Sequence, residues 1–186
     1  MQIGNSSTGY GIVHILLHWS IAALVLLTAL VGFRMGNLPR MDPSTFETYN
    51  FHKSLGITVL GLVIARLLWR FVHGTPGLPA AMSPLERWAA AIVHRALYTL
   101  MLLVPLLGWF DTSAAAIPVN WFRLVTLPQP IPADSRLQEL LGTLHGLAAW
   151  TLLSLILLHA LAALKHQFID KDNVLRRMIV PERSNR

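Results

Sequence analysis

Two histidines, His145 and His159, bracket an apolar run, HGLAAWTLLSLILLH, that carries no charged residue between them. The nitrogens of an imidazole need hydrogen bonds or a metal, so a histidine without a partner is costly in hydrocarbon. Fourteen residues correspond to about four helical turns, which places both side chains on nearly the same face, roughly 21 Å apart along the axis. The stretch therefore predicts one helix that offers two imidazoles to partners at different depths.

The composition is that of a membrane protein. The 186 residues are 54% hydrophobic and only 13% charged, whereas about a quarter of the residues of a soluble domain are charged. Cysteine is absent, which excludes disulfides, iron–sulfur clusters and thiol catalysis. Histidine occurs eight times and is the residue type whose placement has to be explained.

Four segments are long and apolar enough to span a bilayer, which takes about 20 helical residues. They are residues 12–33, 54–72, 87–110 and 140–164. The first has no basic n-region and is too long for the apolar part of a cleaved signal peptide. We therefore predict an all-α, integral-membrane four-helix bundle in which residues 1–186 form one domain. The proline-rich link between the third and fourth spans predicts an irregular loop or cap. Its stretch NWFRLVTL is compatible with an aromatic-anchored turn at the membrane interface.

The distribution of lysine and arginine predicts the orientation. With both termini in the cytoplasm, ten basic residues would face that side and five the other. The first set is Arg66, Arg70, Arg87, Arg95, Lys165, Lys171, Arg176, Arg177, Arg183 and Arg186, and the second is Arg34, Arg40, Lys53, Arg123 and Arg136. The positive-inside rule favours this arrangement, with both termini cytoplasmic. Topology thus explains most of the net charge of +6, and nucleic-acid binding is not needed.

With this topology, each histidine of the fourth span has a partner at its own depth. His52 lies at the outer start of the second span, level with His145, and His18 lies near the inner side, level with His159. Histidine is an axial haem ligand, and bundle cores are a usual place for cofactors, so the pattern predicts two b-type haems. Two histidines fill both axial positions, which favours electron transfer over oxygen binding. Zinc or copper fits less well, because no cysteine or carboxylate lies at these depths. For any single histidine, the alternative is an interfacial or hydrogen-bonded residue.

Two further residues belong to the inner side. Arg66 lies fourteen residues after His52 on the same face of its helix, where a haem propionate would be a suitable anion for a buried arginine. Snorkelling of Arg66 to the interface is equally compatible with the sequence. His94 is at a depth where it competes as an inner ligand, and otherwise lies beside the haem or a quinone site. We expect His14, one turn before His18, in or near the lipid headgroups.

At these residues the sequence resembles the bacterial cytochrome b561 family of four-helix membrane cytochromes. The matching segments are HILLHWS with His18, NFHKSLGITVLGLVIARLLWR with His52 and Arg66, and HRALYTLMLLVPLLGW with His94. The most specific is LHGLAAWTLLSLILLHALAALKHQFIDKDNVLRRM, which joins His145 and His159 to the tail. Cytochrome b subunits of membrane hydrogenases and formate dehydrogenases look related.

The resemblance implies that His18, His52, His145 and His159 are the axial ligands of two haems b, in a multi-pass protein of the bacterial inner membrane. It also implies a quinone partner, with ubiquinone as substrate. One relative in the family oxidises superoxide outside the membrane and reduces ubiquinone, so Lys53, Arg123 and Arg136 are expected to form a positive funnel for that anion. His94, Lys165, His166 and Asp170 are candidates for handling protons beside the quinone, and each is otherwise simply interfacial. Lys165 and His166 stand where that relative has two adjacent histidines, so a role of this position in quinone binding does not carry over directly, although His166 could still supply a proton.

Two other functions are compatible with the sequence. A haem-bearing anchor subunit would relay electrons between quinone and a separate dehydrogenase, and would have no catalysis of its own. A membrane protein of transport type without haem would explain the spans but not the paired histidines. The electron donor, the quinone type, the direction of electron flow, the reduction potentials and the oligomeric state are not fixed by these motifs.

Overall fold

The chain is described by a computed structural model that covers residues 2–6, 9–39, 43–77 and 82–181. Its elements, in chain order, are α1 (Ile12–Met35), α2 (Pro43–His73), α3 (Pro84–Ala114), β1 (Asn120–Trp121), β2 (Val125–Thr126), α4 (Ser135–Lys165), a π-helical turn (His166–Asp170) and α5 (Val174–Arg177). The predicted all-α membrane fold is confirmed. Three basic residues that entered the prediction of orientation, Arg40, Arg183 and Arg186, lie outside the described residues.

Each predicted span lies within one long helix. In the described part of the chain, four helices are long and apolar enough to cross a membrane, namely Ile12–Met35, Ser44–His73, Pro84–Ala114 and Ser135–Asp170. Helix α2 has 31 residues and begins eleven residues before the predicted span. Hydropathy marks the segment that lies in hydrocarbon, whereas the polar first turns of α2 continue the same helix beyond it.

The apolar core lies halfway along the bundle. Helix α1 packs along α2, α2 along α3, and α3 along α4. All four helices contribute to one buried cluster, which consists of Ile21, Val25, Val59, Val63, Leu97, Met101 and Leu152. The core residue of α4, Leu152, lies seven positions after His145 and seven positions before His159. Large apolar side chains such as Leu30 and Phe71 face outward, with 65% and 90% of their surface exposed, as expected for a lipid-facing surface.

Side-chain caps fix the starts of two helices. The Ser83 hydroxyl accepts a hydrogen bond from the Glu86 N–H, and the Glu86 carboxylate accepts one from the Ser83 N–H, which is a capping box at the start of α3. Asp134 caps α4 by accepting hydrogen bonds from the N–H groups of Arg136 and Leu137. Both caps satisfy N–H groups that the first turn of a helix leaves without partners.

Both chain ends meet at one end of the bundle, here called the tail end. Asn5 Nδ2 donates to the Gly74 carbonyl at 2.7 Å, which joins the N-terminal segment to the end of α2. Trp19 Nε1 donates to the Met178 carbonyl at 2.7 Å, which joins α1 to the C-terminal segment. The opposite end, called the hairpin end, carries β1 and β2. The four long helices therefore run alternately up and down.

The link between α3 and α4 is more ordered than predicted. Instead of an irregular loop, it contains an antiparallel hairpin in which Asn120 pairs with Thr126 and Trp121 with Val125. The turn places Phe122 and Arg123 at φ values of 45° and 60°. Such hairpin turns usually use asparagine and glycine, because other residues enter this conformation at a cost. The sequence has neither residue in the turn, so the usual hairpin signal is missing.

One serine fastens this hairpin to α2. Ser54 is fully buried, and its hydroxyl accepts a hydrogen bond from the Phe122 N–H at 2.9 Å. The same hydroxyl lies 2.8 Å from the Asn50 carbonyl and 3.3 Å from the Asn120 carbonyl. Trp121 Nε1 adds a bond to Thr58 Oγ1 at 3.1 Å. The hairpin is thereby held against α2 at Ser54 and Thr58, which follow His52 on the same helix.

Replacement of Ser54 by alanine should loosen the hairpin. The Phe122 N–H would lose its acceptor in a buried place, which typically costs about 1–3 kcal/mol. We expect a lower unfolding midpoint in detergent and faster amide hydrogen exchange at residues 120–126. Ser154→Ala is the matched control, because that exposed hydroxyl bonds only to the Trp150 carbonyl of its own helix. Equal destabilisation by both substitutions would contradict this role.

Candidate functional site

The hairpin end holds His52 of α2 opposite His145 of α4. Their ring centroids are 6.2 Å apart and their planes are nearly perpendicular, at 81°. His52 Nδ1 lies 3.0 Å from the Thr28 carbonyl of α1, and His145 Nδ1 lies 2.9 Å from the Val104 carbonyl of α3. Because a carbonyl can only accept, each Nδ1 donates its proton, and a neutral ring then keeps a lone pair on Nε2. Both rings are therefore oriented and prepared to act as metal ligands.

A glycine lies against each of these two rings. A Cβ atom at Gly32 would be 3.1 Å from His52 Cε1, and one at Gly108 would be 3.1 Å from His145 Cε1. Gly32 lies four residues after Thr28, and Gly108 lies four residues after Val104, the residues whose carbonyls accept from the two imidazoles. Residues four apart share one helix face. The same carbonyl-and-glycine arrangement thus occurs on α1 and on α3. Neither glycine was predicted from the sequence, because its role depends on an imidazole from another helix.

The tail end holds the second pair. The rings of His18 and His159 are 6.3 Å apart between centroids, with their planes at 76°. His18 Nδ1 is buried and has no hydrogen-bond partner among the described residues. His94 lies closer to His159, at 5.2 Å between centroids, and is exposed. The structure therefore brings together both pairs that depth predicted, and adds His94 as a third imidazole at the tail end.

The spacing within each pair fits two imidazoles on one metal ion. A metal–imidazole bond is about 2 Å long and a ring nitrogen lies roughly 1.1 Å from the ring centre, so opposed ligands have centroids about 6.2 Å apart. The observed 6.2 and 6.3 Å match this value in both pairs. The 5.2 Å between His94 and His159 is too short for opposite sides of one ion. The residues present thus fit two bis-histidine haem sites, and His18 fits the tail-end site better than His94.

A cationic cluster lies beside the tail-end pair. Arg66 Nη2 is 3.4 Å from His14 Nε2, and the Arg66 guanidinium carbon is 5.5 Å from the centre of the Tyr98 ring. Arg66 Nε is buried without a partner among the described residues, and no described carboxylate forms a salt bridge with Arg66. Burial raises the pKa of Tyr10, so its phenol is neutral and does not supply the missing anion. An anionic group such as a haem propionate would complete this site.

Protein covers His14, the residue that we expect at the depth of the lipid headgroups. Only 2% of its surface is exposed. Its ring stacks on Tyr10 with centroids 4.4 Å apart, and its Nε2 contacts Arg66 Nη2. The N-terminal segment folds back over the start of α1, where the Ile12 N–H donates to the Gln2 carbonyl. Hydropathy alone gave no sign of this cover.

The predicted proton-handling residues after α4 are held in an ion network. Lys165 Nζ lies 2.6 Å from Glu86 Oε1 and 2.8 Å from Asp170 Oδ2. His166 is buried, and its Nδ1 lies 2.7 Å from Asp172 Oδ2 and 3.1 Å from Asp170 Oδ2. These contacts join the start of α3 to the π-helical turn. The His166, Asp170 and Asp172 ligand atoms lie within 4.8 Å of one another, but Lys165 already neutralises Asp170, so we assign no metal to them.

The predicted positive funnel at the hairpin end is weaker than expected. Arg123 forms a salt bridge with Glu47, and Lys53 Nζ donates to the Pro118 carbonyl at 3.2 Å. Within the described residues, the Arg136 guanidinium has no ion-pair partner. Lys53 and Arg136 therefore keep an unpaired positive charge among the described residues, whereas the charge of Arg123 is neutralised by Glu47.

Comparison with known proteins agrees with this architecture. A family model described as prokaryotic cytochrome b561 matches residues 9–181. Cytochrome b562 of Cereibacter sphaeroides is 34% identical over 93% of this chain and 96% of the relative. Cytochrome b561 homolog 2 of Escherichia coli (strain K12) is 32% identical over 96% of this chain and 95% of the relative. The probable superoxide oxidase CybB of Yersinia pestis is 30% identical, over 94% and 97%.

The match with the family model extends from before α1 to the end of the C-terminal segment, so it includes all four long helices and both histidine pairs. The relatives are covered almost end to end. The predicted resemblance and the predicted localisation are both confirmed. The chain belongs to the prokaryotic cytochrome b561 family, and is a multi-pass, haem b-binding electron-transfer protein of the bacterial inner membrane.

Proposed function

We propose that this chain is a di-haem cytochrome that transfers electrons across the inner membrane to or from quinone. His52 and His145 would hold one haem b at the hairpin end, and His18 and His159 would hold the other at the tail end. The observation that carries the proposal is that both pairs have the ring spacing of ligands on one ion, 6.2 and 6.3 Å. Bound haem supplies one-electron chemistry, and two histidines per iron favour electron transfer.

The protein's own groups hold and orient these ligands. The carbonyls of Thr28 and Val104 fix the rings of His52 and His145, and the facing glycines leave room for those rings. At the tail end, Arg66 offers a buried N–H to an anion, and we assign it to a haem propionate. The apolar core between the two pairs excludes water from the middle of the bundle.

We place the tail end in the cytoplasm and the hairpin end in the periplasm, because the excess of lysine and arginine is at the tail end. Quinone, with ubiquinone as the substrate, would bind at the tail end. Its reduction takes up two protons, and His94 is the best-placed donor because it is exposed and lies beside His159. Lys165 and His166 would act through their ion network, which connects to the surface through Glu86 and Asp172.

We further propose superoxide as the electron donor at the hairpin end. The support comes from the relative of Yersinia pestis, which is named a probable superoxide oxidase. Lys53 and Arg136 supply positive charge at this end, which favours the approach of a small anion. Lys53 directly follows His52 in the sequence.

Removal of one ligand should remove one haem. We expect two haems per chain in the wild type and one in each of His52→Ala and His159→Ala, because a single axial histidine holds the cofactor poorly. The measurement is the pyridine haemochrome content per chain, with reduced-minus-oxidised spectra. His73→Ala is the control, since that ring stacks on Trp69 and bonds to the Trp69 carbonyl of its own helix, outside both histidine pairs. His94→Ala should also keep both haems. Retention of both haems in either ligand variant would refute the assignment.

The glycine against His145 should matter for haem retention. In Gly108→Ala, the new Cβ would lie 3.1 Å from Cε1 and 3.2 Å from Nδ1 of His145, so the ring must shift away from the Val104 carbonyl. Loss of such an orienting contact typically lowers metal affinity about 10–100-fold. We expect reduced haem occupancy and an altered electron paramagnetic resonance signal of one haem only. Gly146→Ala is the matched control, because its Cβ would meet open space. Identical haem content and spectra in both variants would contradict the role of Gly108.

The purified chain should catalyse electron transfer without a partner. In detergent with ubiquinone and a superoxide-generating system, we expect quinone reduction that superoxide dismutase abolishes. The readout is quinone absorbance together with reduction of the haem α-bands. A chain that keeps both haems but reduces no quinone would instead favour the anchor subunit of a separate dehydrogenase. A chain without haem bands would refute the proposal altogether.

A further inference from the structure

A carboxylate lies one helical turn from the hairpin-end pair. Asp111 on α3 follows Gly108 by three residues, and Gly142 on α4 precedes His145 by three. Gly108 faces His145, and a Cβ at Gly142 would be 3.3 Å from Asp111 Oδ1. The two contacts lie about one helical turn apart along the interface between the antiparallel helices α3 and α4. Asp111 therefore points into the interface that holds His145, and it is close enough to interact electrostatically with that ring.

Among the described residues, none forms a salt bridge with Asp111. Of the basic residues at this end, Lys53 bonds to the Pro118 carbonyl and Arg123 pairs with Glu47. Arg34 and Arg136 form no salt bridge with any described carboxylate. Asp111 is only partly buried and lies three residues before the end of α3, so we take its carboxylate as ionised, as aspartate ordinarily is at neutral pH, although burial opposes the charge. The hairpin-end pair thus has a half-buried negative charge beside it that no described cation neutralises.

The tail-end pair has the opposite charge beside it. Arg66 is close enough to interact electrostatically with both His18 and His159, and Arg70 joins it over the Tyr98 ring. No described carboxylate pairs with Arg66 or Arg70. A haem propionate would neutralise Arg66, so the two ends of the bundle differ in that only the hairpin-end pair has a carboxylate of the protein beside it.

We propose that Asp111 favours electron flow from the hairpin end to the tail end by lowering the reduction potential of the hairpin-end site. The inference rests on the two-haem function proposed above. A nearby anion stabilises ferric iron, which carries one more positive charge than ferrous iron, and a nearby cation stabilises ferrous iron. An electron that leaves ferrous iron at His52 and His145 reduces ferric iron at His18 and His159, and no bond or proton changes hands. A one-electron donor would then reduce the hairpin-end site again. Quinone would accept two such electrons from the tail-end site and take up two protons.

Asp111→Asn tests this inference, because it removes the charge and keeps the shape. We expect the midpoint potential of the hairpin-end haem to rise, so that the equilibrium constant for electron transfer toward the tail end falls about ten-fold, or about 59 mV for one electron. Redox titration of the α-bands measures it. Glu139→Gln is the matched control, since it removes an exposed carboxylate from α4 at the same end and should leave both potentials unchanged. Asp111→Glu, which keeps the charge, should stay close to the wild type.

Single-haem backgrounds identify which site responds. With His159→Ala, only the hairpin-end haem should remain, and Asp111→Asn should shift its potential. With His52→Ala, only the tail-end haem should remain, and the same substitution should have little effect. The role of Asp111 would be overturned by unchanged potentials, by equal shifts in both backgrounds, or by an equal shift in Glu139→Gln. The proposed function would still stand in these cases if the wild-type chain holds two haems. A wild-type chain with a single haem would overturn the proposed function itself.

Discussion

A neutral imidazole inside an apolar bundle must bring one ring nitrogen to a hydrogen-bond acceptor while the other stays free for a ligand. Helices offer few such acceptors, because their carbonyls are already bonded along the helix and only a second lone pair is left. His52 and His145 reach these lone pairs at Thr28 and Val104. The approach requires a glycine beside each ring, which fixes how α1 meets α2 and how α3 meets α4. Helix packing and site geometry are therefore consequences of the same contacts.

The remaining architecture preserves that arrangement. The core of Val63, Leu152 and their neighbours keeps the two histidine levels apart and dry. At one end the hairpin is fastened to α2 through Ser54, and at the other Trp19 and the ion network of Lys165 join the C-terminal segment to the bundle. Most of the outer surface is apolar and suits lipid, so the polar groups of the chain concentrate at the ends and at the two histidine pairs.

Much of this could be predicted from the sequence. The four spans follow from hydropathy, and the pairs follow from the helical period of His145 and His159 combined with an alternating topology. What the sequence did not reveal depends on contacts between helices. The roles of Gly32 and Gly108 appear only when a ring from another helix lies against them, and Asp111 gains its meaning from Gly142 across the same interface. The cover over His14 was not predicted, because it comes from a segment without hydropathic signal. The hairpin was not predicted, because its turn lacks the usual residues.

Each histidine pair takes one member from α4, the last of the long helices to leave the ribosome. While only three helices have been inserted, His18 and His52 have no opposite ring, and the Val104 carbonyl has no imidazole to accept from. A nascent chain thus contains two half-sites and no complete one. Completion of the fourth helix supplies both missing rings together, so in the proposed function neither haem site is complete before α4 is inserted.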